Sequence, residues 1–137
     1  MLSLEEYKKH FNDHFARTVG YEMTAISEKE SIYEMTVEEK HWNPNGIMHG
    51  GALFSIMDSG QGALVHFVLN AREVFGTTAE ASIRYRKPHK SGRIVVRTII
   101  EERKRSLLYV RSTAFNEQNE VLAELSEKWM ILPRSRD

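Results

Sequence analysis

The sequence contains no cysteine. Disulfides, zinc–thiolate centres and a cysteine nucleophile are therefore excluded, and a cytoplasmic setting fits. It has no excess of either charge, with 19 Lys and Arg against 19 Asp and Glu. That balance gives no electrostatic basis for general binding to nucleic acid or to a membrane surface. It has no clean membrane span: the apolar stretch after Gly51 is interrupted by Asp58, Gln61 and His66. The start, Met1 to Lys9, carries early acids and no apolar core, so it does not read as a signal peptide. No repeat, linker or low-complexity segment divides the 137 residues, which read as one domain, 1–137, able to bury a core without staples.

What is present centres on Asn43 to Gln61. A turn-rich segment, Asn43-Pro44-Asn45-Gly46, runs into His49-Gly50-Gly51 and then into an apolar run without proline. Turn chemistry giving way to a periodic apolar run predicts a helix start. Two glycines there cost about 1 kcal/mol each against alanine. They are expected where bare backbone is needed, since the first N–H groups of a helix have no internal partner and lie at the positive end of its dipole. Such a place suits negative charge on an oxygen. Gly51, Ser55, Asp58 and Gly62 fall on one helical face of small residues. A carboxylate in the middle of that face, inside an otherwise apolar helix, is the second unusual feature.

Elsewhere the periodicities are ordinary. Ser3 to about Thr18 predicts one short amphipathic helix, with Ser3 as N-cap, Glu6 completing a capping box, and Leu4, Tyr7, Phe11 and Phe15 at helical spacing. His10 and His14 stand four apart, but no third ligand accompanies them and no metal is expected. Glu22 to Ile26 and Ser31 to Val37 predict two strands around a charged turn. The central helix is expected from about Gly50 to Ala71. Four strands follow, beginning near Thr77, Ile94, Leu107 and Val121, and Pro133 to Asp137 reads as a frayed end. Two strands, a long helix and four strands make an α+β pattern, best satisfied by an antiparallel sheet wrapped around the helix.

The spacing Asn-x2-Gly-x2-His-Gly-Gly-x6-Asp, carried by Asn43, Gly46, His49, Gly50, Gly51 and Asp58, resembles the signature of hotdog-fold thioesterases of the phenylacetate-pathway type. The resemblance continues through Thr78 to Pro88 and loosely to the C-terminus. It implies a hotdog fold with a short N-terminal helix, and hydrolysis of an acyl thioester of coenzyme A. It also implies homodimers that often pair into tetramers. Coenzyme A would be part of the substrate, and no separate cofactor is expected. Gly50 N–H would meet the developing oxyanion, and Asp58 would act as general base on water or as nucleophile. Asn43 would orient the carbonyl or the water. Thr78 falls where relatives carry a hydroxyl that holds the attacking water, and His49 would stabilise the turn. Gly51, Phe54 and Gln61 are candidates for the substrate pocket. Arg103, Lys104 and Arg105, or the basic residues around Pro88, are candidates for the coenzyme A phosphates.

Two other readings stand beside this one. A hydratase or dehydratase of the same fold would use His49 and Asp58 for proton transfer at carbon. A non-catalytic acyl-thioester-binding module would need neither. In the thioesterase reading, Gly50 and Asp58 lie eight residues apart, about 12 Å along a helix axis. Both must come within roughly 3 Å of one thioester group. Two antiparallel copies of the helix would satisfy both, which predicts a site shared between two chains.

Overall fold

The computed structural model describes residues 2–70 and 74–135. Helices α1 (Leu4–His10) and α2 (His14–Val19) precede strands β1 (Tyr21–Ile26) and β2 (Glu30–Val37). A short 3-10 turn and a pinned loop lead into α3 (Gly50–Leu69). Strands β3 (Val74–Tyr85), β4 (Gly92–Arg103), β5 (Leu107–Phe115) and β6 (Val121–Pro133) follow. The six strands form one sheet in the order β1-β2-β4-β5-β6-β3, every neighbouring pair antiparallel. The sheet wraps α3, the arrangement that the pattern of elements predicts.

The N-terminal segment departs from expectation. It forms two helices, because Asp13 interrupts the first and caps the second, its side chain accepting from the Ala16 N–H at 3.1 Å. Ser3 caps α1 as predicted, accepting from Glu6 N–H. The break separates His10 from His14 onto different helices, so the four-residue helical spacing does not exist. It also leaves Phe15 exposed, while Tyr7 is buried. The helix α3 ends at Leu69, where Asn70 takes the left-handed conformation and its N–H bonds back to His66 O; the expected end at Ala71 lies outside the described residues. So do Arg136 and Asp137 of the expected frayed tail, whose first residue, Pro133, instead ends β6.

By length and apolar content α3 matches a membrane-crossing helix, and half of that stretch is buried within this fold. Ile56 and Met57 meet the inward side chains of the sheet, among them Tyr33, Met35, Ile94, Val96, Leu122 and Leu125, all nearly or wholly buried. Each such side chain contributes about 1.5–3 kcal/mol by leaving water.

Apolar packing alone does not fix how far a helix is turned about its axis. Hydroxyl groups on the sheet and on α1 do this. Ser31 donates to Gly60 O at 2.7 Å, and Ser112 donates to Met57 O at 3.0 Å. Thr98 and Ser112 share a hydrogen bond of 2.7 Å, and Tyr7 donates to Ala63 O at 2.7 Å. The acceptor carbonyls follow one another at three-residue spacing and so lie along one face of α3. Gly60 permits the approach: a Cβ there would stand 2.9 Å from Thr98 Oγ1.

Gly60→Ala should therefore destabilise the protein by about 1–3 kcal/mol, because Thr98 is buried and cannot swing aside without losing Ser112. Urea unfolding checks this. A variant as stable as the parent would mean that the helix is not seated by this contact.

Candidate active site

The loop before α3 is built to present the helix start. Asn43 Oδ1 accepts from Asn45 N–H at 2.8 Å and, at 3.5 Å, from Ile47 N–H. Gly46 sits at φ +76°, which closes the turn. Trp42 donates its indole N–H to Lys90 O, Met48 N–H bonds His89 O, and His49 N–H bonds His41 O. His41 is buried; its Nδ1 accepts from Glu38 N–H, so Nε2 carries the proton and donates to Val19 O at 2.6 Å. The loop is thus held from both sides.

His49 is the N-cap of α3, and its Nδ1 accepts from Gly51 N–H at 2.9 Å. This matches its expected part in stabilising the turn. It also occupies the Gly51 amide, so that N–H is not open to a substrate. Gly50 N–H, one residue earlier, has no acceptor among the described residues. A cavity of about 320 Å³ adjoins it, lined by Asn43, Leu53, Tyr85, Arg86 and Lys87 among others. Asn43 spends its carbonyl on the loop, so the Nδ2 amide is the end left to donate. Tyr85 Oη donates to Gly50 O at 2.7 Å, and a Cβ on Gly50 would lie 3.0 Å from that oxygen. Bare backbone is needed at Gly50 for this close approach.

Asp58 is half-buried two turns along α3. Thr78 Oγ1, on β3, lies 3.5 Å from Asp58 Oδ1, at the limit of a hydrogen bond. The register sets Thr78 opposite Trp129 and Thr77 opposite Met130, which faces outward. The structure therefore brings together Asp58 and Thr78, and separately Asn43 and Gly50. It does not bring the two pairs together within one chain.

Other expected site residues lie elsewhere. Gln61 is wholly buried: its Nε2 donates to Leu125 O at 3.1 Å and its Oε1 accepts from Trp129 at 2.9 Å. One turn beyond Asp58 is not quite the same face, and the difference turns Gln61 into the core rather than toward substrate. Phe54 is half-buried against the core. A cavity of about 490 Å³ beside the helix start is lined by Gly51 together with Phe15, Val19, Trp42, Ala52 and Ser55, among others, and not by Phe54 or Gln61. Arg103, Lys104 and Arg105 stand away from Gly50, since the register sets Arg103 level with Leu108, Trp129 and Thr78. Lys104 approaches Glu102 at 3.8 Å and covers the Tyr109 ring. Of the basic residues, Arg86 and Lys87 line the Gly50 cavity, each paired with a glutamate, Glu124 and Glu120 respectively. A further cavity of about 600 Å³ is bordered by Glu80, Tyr109 and Lys128 and also by Ala81, Val110 and Glu127.

Sequence reasoning missed Glu127. It sits on β6 in the phase of Ala123, Leu125 and Trp129, which points at α3, and it is 3% exposed. Neither carboxyl oxygen has a hydrogen-bond partner of good geometry among the described residues. Burial pushes its carboxyl up, and the neighbouring Asp58 pushes it further, to about 9. A glutamate in the apolar phase of a strand was the signal that could have found it.

A wrapped helix with an unpartnered first-turn amide and a carboxylate two turns on describes a hotdog-fold hydrolase site. Solved structures agree on the fold. A Haemophilus influenzae thioesterase matches with a TM-score of 0.88 at 16% identity, covering 97% of this chain and 92% of that one. The Escherichia coli PaaI protein of the phenylacetic acid degradation operon matches with a TM-score of 0.81 at 19% identity, covering 92% and 89%. A Saccharolobus solfataricus protein, provisionally named an esterase, is 28% identical over 96% of this chain and 87% of its own length. The family described as the thioesterase superfamily matches residues 45–123. The chain belongs to that superfamily and is a thioester hydrolase.

The buried Glu127 makes stability depend on pH. Its carboxyl holds a proton in the fold that the unfolded chain releases above about 4.5. Folding therefore takes up a proton between that value and about 9, and stability falls as pH rises across this range. Glu127→Gln removes the effect. Its melting temperature should gain on the parent steadily from pH 5 to pH 8. A constant difference across that range would show that Glu127 is ionised in the fold.

Proposed function

We propose that the protein hydrolyses acyl-CoA thioesters at two sites, each shared between two antiparallel copies of the chain. The observation that carries this reading is the unpartnered Gly50 N–H beside the Asn43 cavity, with the carboxylate eight residues further along the same helix. About 12 Å of helix separates them. A second copy supplies what one chain lacks.

The sheet supports this. Strand β3 is an outer strand of 12 residues, and residues 78–82 along it are all exposed. An unpaired edge of that length presents a row of backbone donors and acceptors. Thr78 and Tyr85 point to the helix side of the sheet and remain exposed there. Pairing two β3 edges about a two-fold axis would cover them and set two α3 helices side by side.

In such a site Gly50 N–H and Asn43 Nδ2 donate to the thioester oxygen and hold the charge that develops on it. Asp58 of the second chain takes a proton from water as the water attacks, or attacks the carbonyl itself. In the water route the tetrahedral intermediate expels the thiolate of coenzyme A, which recovers the proton from Asp58. Thr78 steadies Asp58 or the water. Arg86 and Lys87 at the Gly50 cavity would meet phosphate groups of the nucleotide. The 490 Å³ cavity beside α2 is suited to an aryl or a short to medium acyl chain. His49 has its Nδ1 tied to Gly51, which disfavours a hydratase that would use it as a base.

Asp58→Asn should lower kcat by about a hundredfold or more with the fold intact. Asn43→Ala should lower kcat more than it raises KM. Refolded together, the two variants give hybrid dimers that each hold one intact and one doubly damaged site, so about a quarter of all sites should recover. Hybrids confirmed by mass spectrometry but as inactive as the separate variants would place the site within one chain.

A further inference from the structure

We propose that Glu127 is a positioning residue of the reaction, acting as a neutral carboxylic acid that donates a hydrogen bond to the Asp58 carboxylate and aims it at the reacting group. The inference rests on the proposed role of Asp58.

The geometry leaves Glu127 little else to do. It stands on the inner face of β6, flanked in register by Ala81 on β3 and Val110 on β5, with Leu125 and Trp129 on its own strand. None of these side chains offers it an acceptor. The Trp129 indole is committed to Gln61. Of the titratable groups on the packed elements, Asp58 on α3 is the one that faces it among the described residues. Glu80 and Lys128 pair with one another at 3.0 Å on the opposite face of the sheet, and Glu101 and Arg111 pair at 3.2 Å there. An ionised Glu127 would place a second negative charge beside Asp58 with no cation paired to either among the described residues. A neutral Glu127 has one proton to give, its oxygens have no partner among the described residues, and the neighbouring carboxylate is Asp58.

Stability does not explain the residue. A buried carboxyl without a partner of good geometry costs the fold, and a leucine or methionine would fill the space without that cost. Residues that weaken the fold in this way cluster where chemistry needs them. A carboxylic acid kept neutral by an apolar site so that it can donate a hydrogen bond is an established device in enzymes. Burial and the Asp58 charge supply the conditions here.

Donation from Glu127 fixes which Asp58 oxygen stays free. Thr78 Oγ1 approaches Oδ1 at 3.5 Å, so two neighbours constrain one carboxylate from different strands. When Glu127 ionises, the donor is lost and a like charge appears beside the base. Turnover should then fall at alkaline pH.

The test compares the parent with Glu127→Gln and Glu127→Leu. Glutamine keeps a donor but cannot titrate. Its kcat should stay within about threefold of the parent's at neutral pH, and the alkaline fall should vanish. Leucine should fold at least as stably, keep KM, and lose about tenfold or more in kcat. A leucine variant with parental kcat, or a glutamine variant with an unchanged alkaline fall, would overturn the proposal. Infrared spectroscopy separates this from a failure of the Asp58 assignment. The carbonyl stretch of a protonated carboxylic acid should be present in the parent, absent in Glu127→Gln, and shifted in Asp58→Asn. Active Asp58→Asn with that band shifted would sink the base assignment and leave the carboxyl pair standing. No such band in the parent would sink the pair itself.

Discussion

The structure depends on how α3 is seated in the sheet. Buried apolar area holds the helix in place, but that force has no direction. Ser31, Ser112 and Tyr7 supply the direction by donating to Gly60 O, Met57 O and Ala63 O. Each bond is worth about 1 kcal/mol net, and leaving either partner unsatisfied in the core would cost more. The close approach at Gly60 lets the hydroxyls reach. Asp58 is next to Met57, so the bond that turns Met57 O toward Ser112 also sets where the carboxylate points. Gln61, next to Gly60, is drawn into the core by the same rotation and tied to Leu125 and Trp129.

That seating has two consequences for chemistry. At the helix start, His49 caps Gly51 and leaves the Gly50 amide bare, with Tyr85 against the carbonyl on the other side of the residue. Further along, Asp58 meets Thr78 from β3 and the buried Glu127 from β6. The Gly50 amide and the Asp58 carboxylate are held by one helix, which keeps them apart. The open β3 edge is where a second copy would join them.

Much of this was legible in the residues. The glycine pair after a turn marks the helix start, and strand-forming runs bounded by turn signals mark all six strands within about three residues of their ends. Asp58 stood out as a charge in an apolar helix. What failed had specific causes. Periodicity alone carried the N-terminal helix through Asn12 and Asp13, although aspartate caps helices as readily as it rides on them. Three residues are close to one turn, which sets Gln61 near the face of Asp58 in sequence, and the remaining angle turns it into the core. For Arg103, Lys104 and Arg105 charge alone names no position; the register places their turn at the Thr78 level of the sheet, away from Gly50 of the same chain. Glu127 needed the phase of β6, which Leu125 and Trp129 reveal once the strand is read as two faces. The meeting of distant segments at Asp58 is tertiary and has no local trace.

The shared site is tested most directly by a crystal structure of the protein with an acyl-CoA analogue in which a methylene ketone replaces the thioester. The account predicts the ketone oxygen within hydrogen-bond distance of Gly50 N–H of one chain, and an Asp58 carboxylate oxygen of a second chain facing the carbonyl carbon. A ketone bound with its oxygen away from Gly50, or with Gly50 and Asp58 of the same chain on either side of it, would contradict the account.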